Sequence, residues 1–355
     1  MKETAKRAAV ATLVVIALVA LALALWKLKL LIALIFLGIT IAAAMRPGID
    51  WLKRYRIPRG IGLLVHYIGL FGLIALLLWL AVPRALSQVE AALGTHGLPT
   101  KASELRHAAR HAHGIKHTIL VALQKRLEHL PKASKLFHSG VSFGLKAFEI
   151  LIGIFFTFAT AAYWIFERDR TVDYVALLLP RPKRKVVRDT WTLIDLKLGA
   201  FVRGEALLIL VVGTVLSLLF MAVGEPYWIL IGAFAGLLEI VPVIGPLAAG
   251  ALAVGVGFTN NWHTALYAGL CVLGVRFAED YLIVPRVLGD AVGLSPLLVL
   301  VSVTSVGILF GGFAVILAVP LAAVLVTLFD VIVRNRNPAE EDVPAVLFPA
   351  KEAET

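Results

Sequence analysis

The residues that could do chemistry are a few charged side chains set inside otherwise apolar sequence. Glu239 lies in LLEIVPVIGPLAAG, residues 237–250, followed closely by Pro242, Gly245 and Pro246. A carboxylate inside a membrane segment costs about 3 kcal/mol, and such groups usually mark paths for ions, protons or solutes. The prolines remove backbone donors and clash with the preceding turn. Backbone freed in this way survives in a bilayer only where protein or a water-filled cavity satisfies it. The stretch therefore predicts a broken helix whose break is buried in protein or lines a pathway. The plainer alternative is that Glu239 caps a half-helix or pairs with an arginine, while the glycines permit close packing.

A second charged group follows. Arg276, Glu279 and Asp280 sit near one end of the apolar segment 264–284. Arg276 and Glu279 are three residues apart and share a helix face. They suit a gate or coupling site, or an ion pair near the interface whose heads snorkel to water. Asp290, in PRVLGDAVGLSP, is placed to accept backbone hydrogen bonds in a tight connection, as a hinge or a static turn.

Seven of the nine histidines fall between positions 96 and 138. His107 with His111, and His113 with His117, have the four-residue spacing of a helical metal pair. The two pairs point to different helix faces and Gly114 interrupts the helix, so a solvated basic helix along the bilayer surface is the expectation and no metal site is assigned. The chain has no HExxH or phosphate-binding GxxxxGK[ST] motif, and Cys271 is its single cysteine. Enzyme chemistry, an internal disulfide, a cofactor and an ATP-driven pump are therefore not expected.

The elements that must position these groups are membrane helices. Hydrophobic residues make up 60% of the 355 and charged residues only 16%, whereas soluble domains average about 25% charged. The apolar residues come in blocks of about the 20 needed to cross a bilayer. The fold class is thus all-α, a polytopic helical integral membrane protein with about eight hydrophobic segments. The net charge of +11 reflects loops and anionic-lipid contacts rather than nucleic acid.

Along the chain, residues 8–45 are too long for one crossing and split into spans at about 9–26 and 29–45, turning at WKLKL. Lys2, Lys6 and Arg7 before an apolar run resemble a signal peptide, but a second span follows, so an uncleaved anchor is expected. Further spans are read at 61–82, 141–166, 204–223 and 264–284. The basic loops RPGIDWLKRYRIPRG and RPKRK both fall in the cytoplasm if the N-terminus is cytoplasmic, which leaves the polar insert 84–140 outside. Segments 227–258 and 297–333 are too long for one ordinary crossing. The first is broken at PVIGP and the second at Gly311-Gly312, so each is expected to be a broken or re-entrant hairpin. Two such hairpins of opposite orientation would follow the logic of inverted-repeat transporters. The organisation is then residues 1–83 as an N-terminal hairpin plus third span, the insert 84–140, a core at 141–333, and a disordered cytoplasmic tail at 334–355. Glu149 and Glu205, near span ends, are read as structural.

At this point the sequence resembles a known family. LEIVPVIGPLAAG is similar to the E-x-I-P-x-I-G-P signature of the autoinducer-2 exporter (AI-2E) family of PerM-like permeases. EDYLIVPRVLGDAVGLSPLLVLVSV and GILFGGFAVILAVPLAAVL resemble its second signature at Glu279, Pro285, Gly289, Gly293, Leu294, Pro296, Gly307, Gly311, Gly312 and Pro320. Ser295 stands where many relatives carry histidine. The resemblance implies a bacterial inner-membrane secondary transporter, a homo-oligomer, with both termini cytoplasmic. The cargo it implies is a small polar solute such as autoinducer-2, or alternatively a monovalent cation exchanged for protons. A non-transporting scaffold is the reading from a different class. The candidate pathway residues are Glu239, Pro242, Gly245, Pro246 and Glu279, with Arg276, Asp280, Asp290, Gly311, Gly312 and Pro320 as coupling or gate positions.

Overall fold

The computed structural model describes residues 2–93, 140–242, 244–287, 293–341, 343 and 346–347. Its elements are α1 (Lys2–Lys27), α2 (Lys29–Arg54), α3 (Arg59–Leu93), α4 (Gly140–Leu177), α5 (Arg181–Ala222), α6 (Trp228–Leu238), α7 (Ile244–Asn260), α8 (Trp262–Ala278), α9 (Val284–Val287), α10 (Pro296–Phe310) and α11 (Ala318–Ile332). A π-helical turn, Glu279–Ile283, joins α8 to α9, and a 3-10 segment, Gly312–Leu317, leads into α11. No β-strand occurs among the described residues. Among the described residues, six helical stretches are long and apolar enough to cross a membrane: Val10–Lys27, Lys29–Arg54, Arg59–Trp79, Lys146–Leu177, Arg181–Ala222 and Gly312–Ile332. The chain is an all-α polytopic membrane protein. Most of the histidine-rich insert and Asp290 lie outside the described residues.

Several helices outrun the spans that hydropathy predicts. α5 begins at Arg181 rather than near 204, and at 1.5 Å per residue its 42 residues reach about 63 Å. Hydropathy ends where hydrocarbon would end, but the helix continues because ion pairs hold its polar turns. Arg168 Nε of α4 donates to Asp195 Oδ2 of α5 at 2.8 Å, and Arg46 of α2 adds a contact at 3.5 Å. Arg188 pairs with Asp173 at 2.7 Å. These contacts gather α2, α4 and α5 into one basic end of the molecule.

Both broken segments fold back as the sequence predicts. α6 and α7 form the first hairpin, and it packs between α5 and α8. The core of this unit joins Val212, Leu216 and Phe220 of α5 to Ile231 and Ala235 of α6, Ala249 and Ala253 of α7, and Ala268 of α8. Gly232 and Gly236 of α6 face Ser217 and Gly213 of α5, so small residues one turn apart on both helices allow backbone contact. α10, the 3-10 segment and α11 form the second hairpin around Val303, Val306, Ala314 and Ala318. Gly311 adopts φ 91° at its tip, a conformation glycine takes without strain. The two hairpins open toward opposite ends. α6 and α7 open beside the far end of α5, at Ala222. α11 leads to a tail that returns to Lys197 and Arg203, near the basic end.

Composition predicts a disordered tail at 334–355, but described residues after α11 pack against α5. Val343 and Val346 are buried against Leu193 and Ala200 of α5. Arg203 Nε donates to the Val346 carbonyl at 2.7 Å, Arg203 Nη1 donates to the Ala44 carbonyl at 3.1 Å, and Lys197 pairs with Glu341. The polar composition of NPAEED suggests disorder, but two valines spaced to enter one groove, and two buried basic groups needing partners, dock the segment. Truncation after Pro338 should cost about 3 kcal/mol, because Lys197 is left buried without its counter-charge. Thermal unfolding of the purified protein checks this; an unchanged midpoint would mean the docked tail contributes nothing.

Candidate functional site

The break between α6 and α7 places a charged side chain where three elements meet. α6 ends at Leu238 because Pro242 cannot continue the helical hydrogen bonding. Residues 239–241 close as a turn, with the Glu239 amide donating to the Gly236 carbonyl at 3.2 Å and Val241 to Leu238 at 3.0 Å. The Gly245 amide then donates to Val241 at 2.8 Å, starting α7. A Cβ on Gly245 would lie 1.8 Å from the Leu238 carbonyl oxygen, so only glycine lets the chain double back here. Pro246 falls in the first turn of α7, where no intrahelical donor is missed.

The turn carries Glu239 to α8. Glu239 is 8% exposed and Glu279 4%. Arg276 Nη1 donates to Glu279 Oε2 at 3.0 Å and lies 3.7 Å from Glu239 Oε2, while its Nη2 reaches Asp280 Oδ1 at 3.0 Å. Both carboxylates lie against the same guanidinium, which brings Glu239 and Glu279 close together. Glu205 of α5 adds a fourth acidic group close enough to act electrostatically on both Glu279 and Glu239. Three acidic side chains thus surround one guanidinium, and a fourth lies near two of them. The π-helical turn at Glu279 is the local device that aims this carboxylate inward, since the wider turn shifts side-chain register without breaking the helix.

Of the candidates from sequence, the structure brings together Glu239, Arg276, Glu279 and Asp280, with Pro242, Gly245 and Pro246 shaping the turn. Gly311, Gly312 and Pro320 belong to the second hairpin, which packs on α2 and α5 rather than on this cluster. Gly311 and Gly312 are exposed and Pro320 is buried in the first turn of α11. Glu205 was legible only as a span-end residue; its position among the other carboxylates comes from α5 packing antiparallel on α6. Among the described residues no cluster of metal-ligating side chains has the make-up of a metal site.

Comparison with known proteins agrees with this architecture. The chain resembles a Bacillus subtilis protein designated transport protein YrrI, 24% identical over 312 residues that cover 85% of this chain and 87% of the other. It is 34% identical to a second B. subtilis protein of the same designation, YueF, over 137 residues, 39% of this chain and 37% of that one. It is 26% identical to Escherichia coli PerM, designated a permease, over 161 residues, 45% of each chain. A family profile described as AI-2E family transporter matches residues 14–334, spanning every helix of the cluster and both hairpins, and the chain belongs to that family.

Proposed function

We propose that this protein is a proton-coupled secondary transporter of the bacterial inner membrane, with Glu239 and Glu279 as its proton-binding pair. One observation carries the reading: three acidic groups, two of them buried, converge on Arg276 at a break in a membrane hairpin, with Glu205 close by. Burying several like charges around one cation is unfavourable unless protons or cations make up the balance. A site of that kind changes its charge with its occupancy, which is what coupling requires. Pro242, Gly245 and Pro246 form the bend about which α6 and α7 can move relative to each other. Asp280, with about half its side chain exposed, serves as the exchange point with water.

The cargo is a small polar solute moved outward, autoinducer-2 being the named candidate, with no chemical change to it. Exchange of a monovalent cation for protons is the second reading, and the excess of carboxylates over arginine favours it. In this reading both termini are cytoplasmic, which the basic ends of α2 and α5 support. The exposed apolar faces of α1, α3 and α4 meet lipid and the neighbouring copies of a homo-oligomer. The test is flux from proteoliposomes under an imposed pH gradient, with autoinducer-2, sodium or potassium trapped inside. Gradient-stimulated loss of autoinducer-2 supports the exporter, and gradient-stimulated loss of a cation supports the antiporter. No stimulated flux of any of the three would overturn proton-coupled transport and leave a membrane scaffold.

A further inference from the structure

One more carboxylate in the same unit has no hydrogen-bond partner among the described residues. Glu225 lies in VGEPY, the turn between α5 and α6, at the end of the bundle away from Arg276. It is 2% exposed, and neither Oε1 nor Oε2 has a hydrogen-bond partner among the described residues. The surroundings are closed by close backbone packing. A Cβ on Gly257 of α7 would stand 2.6 Å from Ala265 of α8 and 3.0 Å from Glu225 Oε2. The turn is held by unusual backbone: Gly224 has φ 71° and Tyr227 φ 59°. A bulky residue in the left-handed region costs of order 1 kcal/mol, so packing rather than local preference fixes the turn and with it the inward aim of Glu225.

Among the described residues no basic side chain pairs with this group. The sequence contains no lysine or arginine between Arg203 and Arg276, so α6, α7 and the outer part of α5 supply none. The titratable side chains on the elements around it are Tyr227 of its own turn, Arg203, Glu205 and the charged groups nearer the start of α5, and His263, Tyr267, Cys271 and Arg276 of α8; α6 and α7 carry none. Of these, Cys271 is the one that senses Glu225 electrostatically, and a thiol adds no positive charge. An isolated ionised carboxylate in such a place costs far more than a protonated one, because a carboxyl exchanges its charge for a bound proton. A metal ion would need several further oxygen ligands, and a proton needs only the carboxyl itself.

We propose that Glu225 is a proton-binding site, exchanging a proton with solvent at the end of the α5–α8 unit opposite the Glu239–Glu279 pair. The proposal rests on the reading of that pair as proton-coupled only for its role in transport; the proton on Glu225 follows from its own surroundings. α6 is the rod between the two sites, and its 11 residues separate them by about 16 Å. In a transporter that shuttles protons across a bilayer, Glu225 supplies a protonatable group at the end opposite that pair.

The measurement is infrared difference spectroscopy of the full protein in lipid at neutral pH, wild type against Glu225→Gln. Glutamine is nearly isosteric with the protonated acid, so the variant keeps the wild-type elution volume and melting point. The expected result is loss of one protonated-carboxyl stretch in the variant, a band that shifts in deuterated buffer and disappears as pH is raised. Glu239→Gln should leave that band in place, which separates this proposal from the transport reading. Labelling at Glu225 by dicyclohexylcarbodiimide, which attacks protonated carboxyls in apolar sites, gives an independent check by peptide mass. If Glu225→Gln removes only ionised-carboxylate absorption, Glu225 holds no proton and the proposal fails. It also fails if the band neither exchanges with deuterium nor responds to pH, because the proton would then be static.

Discussion

Arg276→Met should destabilise the protein by about 3 kcal/mol and abolish transport. Among the described residues, Arg276 is the one cation touching Glu239, Glu279 and Asp280, at 3.7, 3.0 and 3.0 Å. Removing one partner of a buried ion pair typically costs about 3–5 kcal/mol, because the other charge stays buried. The lower end applies here, since Arg276 retains 36% of its side-chain exposure and the carboxyls can take up protons in its absence. A second substitution makes the expectation sharper. Arg276→Met combined with Glu279→Met should recover much of the lost stability, as apolar replacement of whole buried ion pairs is often neutral. The double variant should still not transport. Thermal unfolding in a fixed detergent and flux in proteoliposomes read the two effects separately. Wild-type flux in the stable double variant would show that the charges serve only packing.

Gly245→Ala should prevent the α6–α7 hairpin from closing, and most of the protein should be lost as aggregate on purification. The new Cβ would meet the Leu238 carbonyl oxygen at 1.8 Å, and a backbone atom cannot swing aside as a side chain can. Overpacking in a tight interior commonly costs about 1–3 kcal/mol, and a backbone clash this close exceeds that range. Gly255→Ala on α7 is the control, because nothing lies within 4 Å of its Cβ position. Alanine there should be neutral or slightly stabilising, since it is the better helix former. Equal yields and equal melting points for the two variants would mean that the hairpin is not folded as described.

Much of this architecture was legible in the chain. Span-length apolar blocks with basic connections announce a helical membrane protein, because hydrocarbon admits little else. PVIGP and Gly311-Gly312 announce their breaks because proline and glycine act on their own backbone. Arg276 and Glu279 announce their pairing because helical spacing alone brings them together. The rest depends on contacts between elements. Glu239 meets Arg276 only because α7 returns along α8, and Glu205 joins them only because small residues let α6 lie against α5. Glu225 reads as an ordinary turn residue until the packing of Gly257 on Ala265 encloses it. The tail misleads for the opposite reason. Its local composition is polar, and the groove that receives Val343 and Val346 is built by a helix more than a hundred residues earlier.

Proton coupling as proposed requires Glu239 to exchange the coupled proton. The most direct test uses proteoliposomes loaded with a pH-sensitive dye, with the transported species added to one side, comparing wild type with Glu239→Gln. Glutamine preserves size and hydrogen-bonding capacity but cannot release a proton. The account predicts cargo-driven proton movement in the wild type and a loss of at least about tenfold in the variant, equivalent to about 1.4 kcal/mol or more of coupling, with an unchanged melting point. Proton movement at the wild-type rate in a correctly folded Glu239→Gln protein would contradict it.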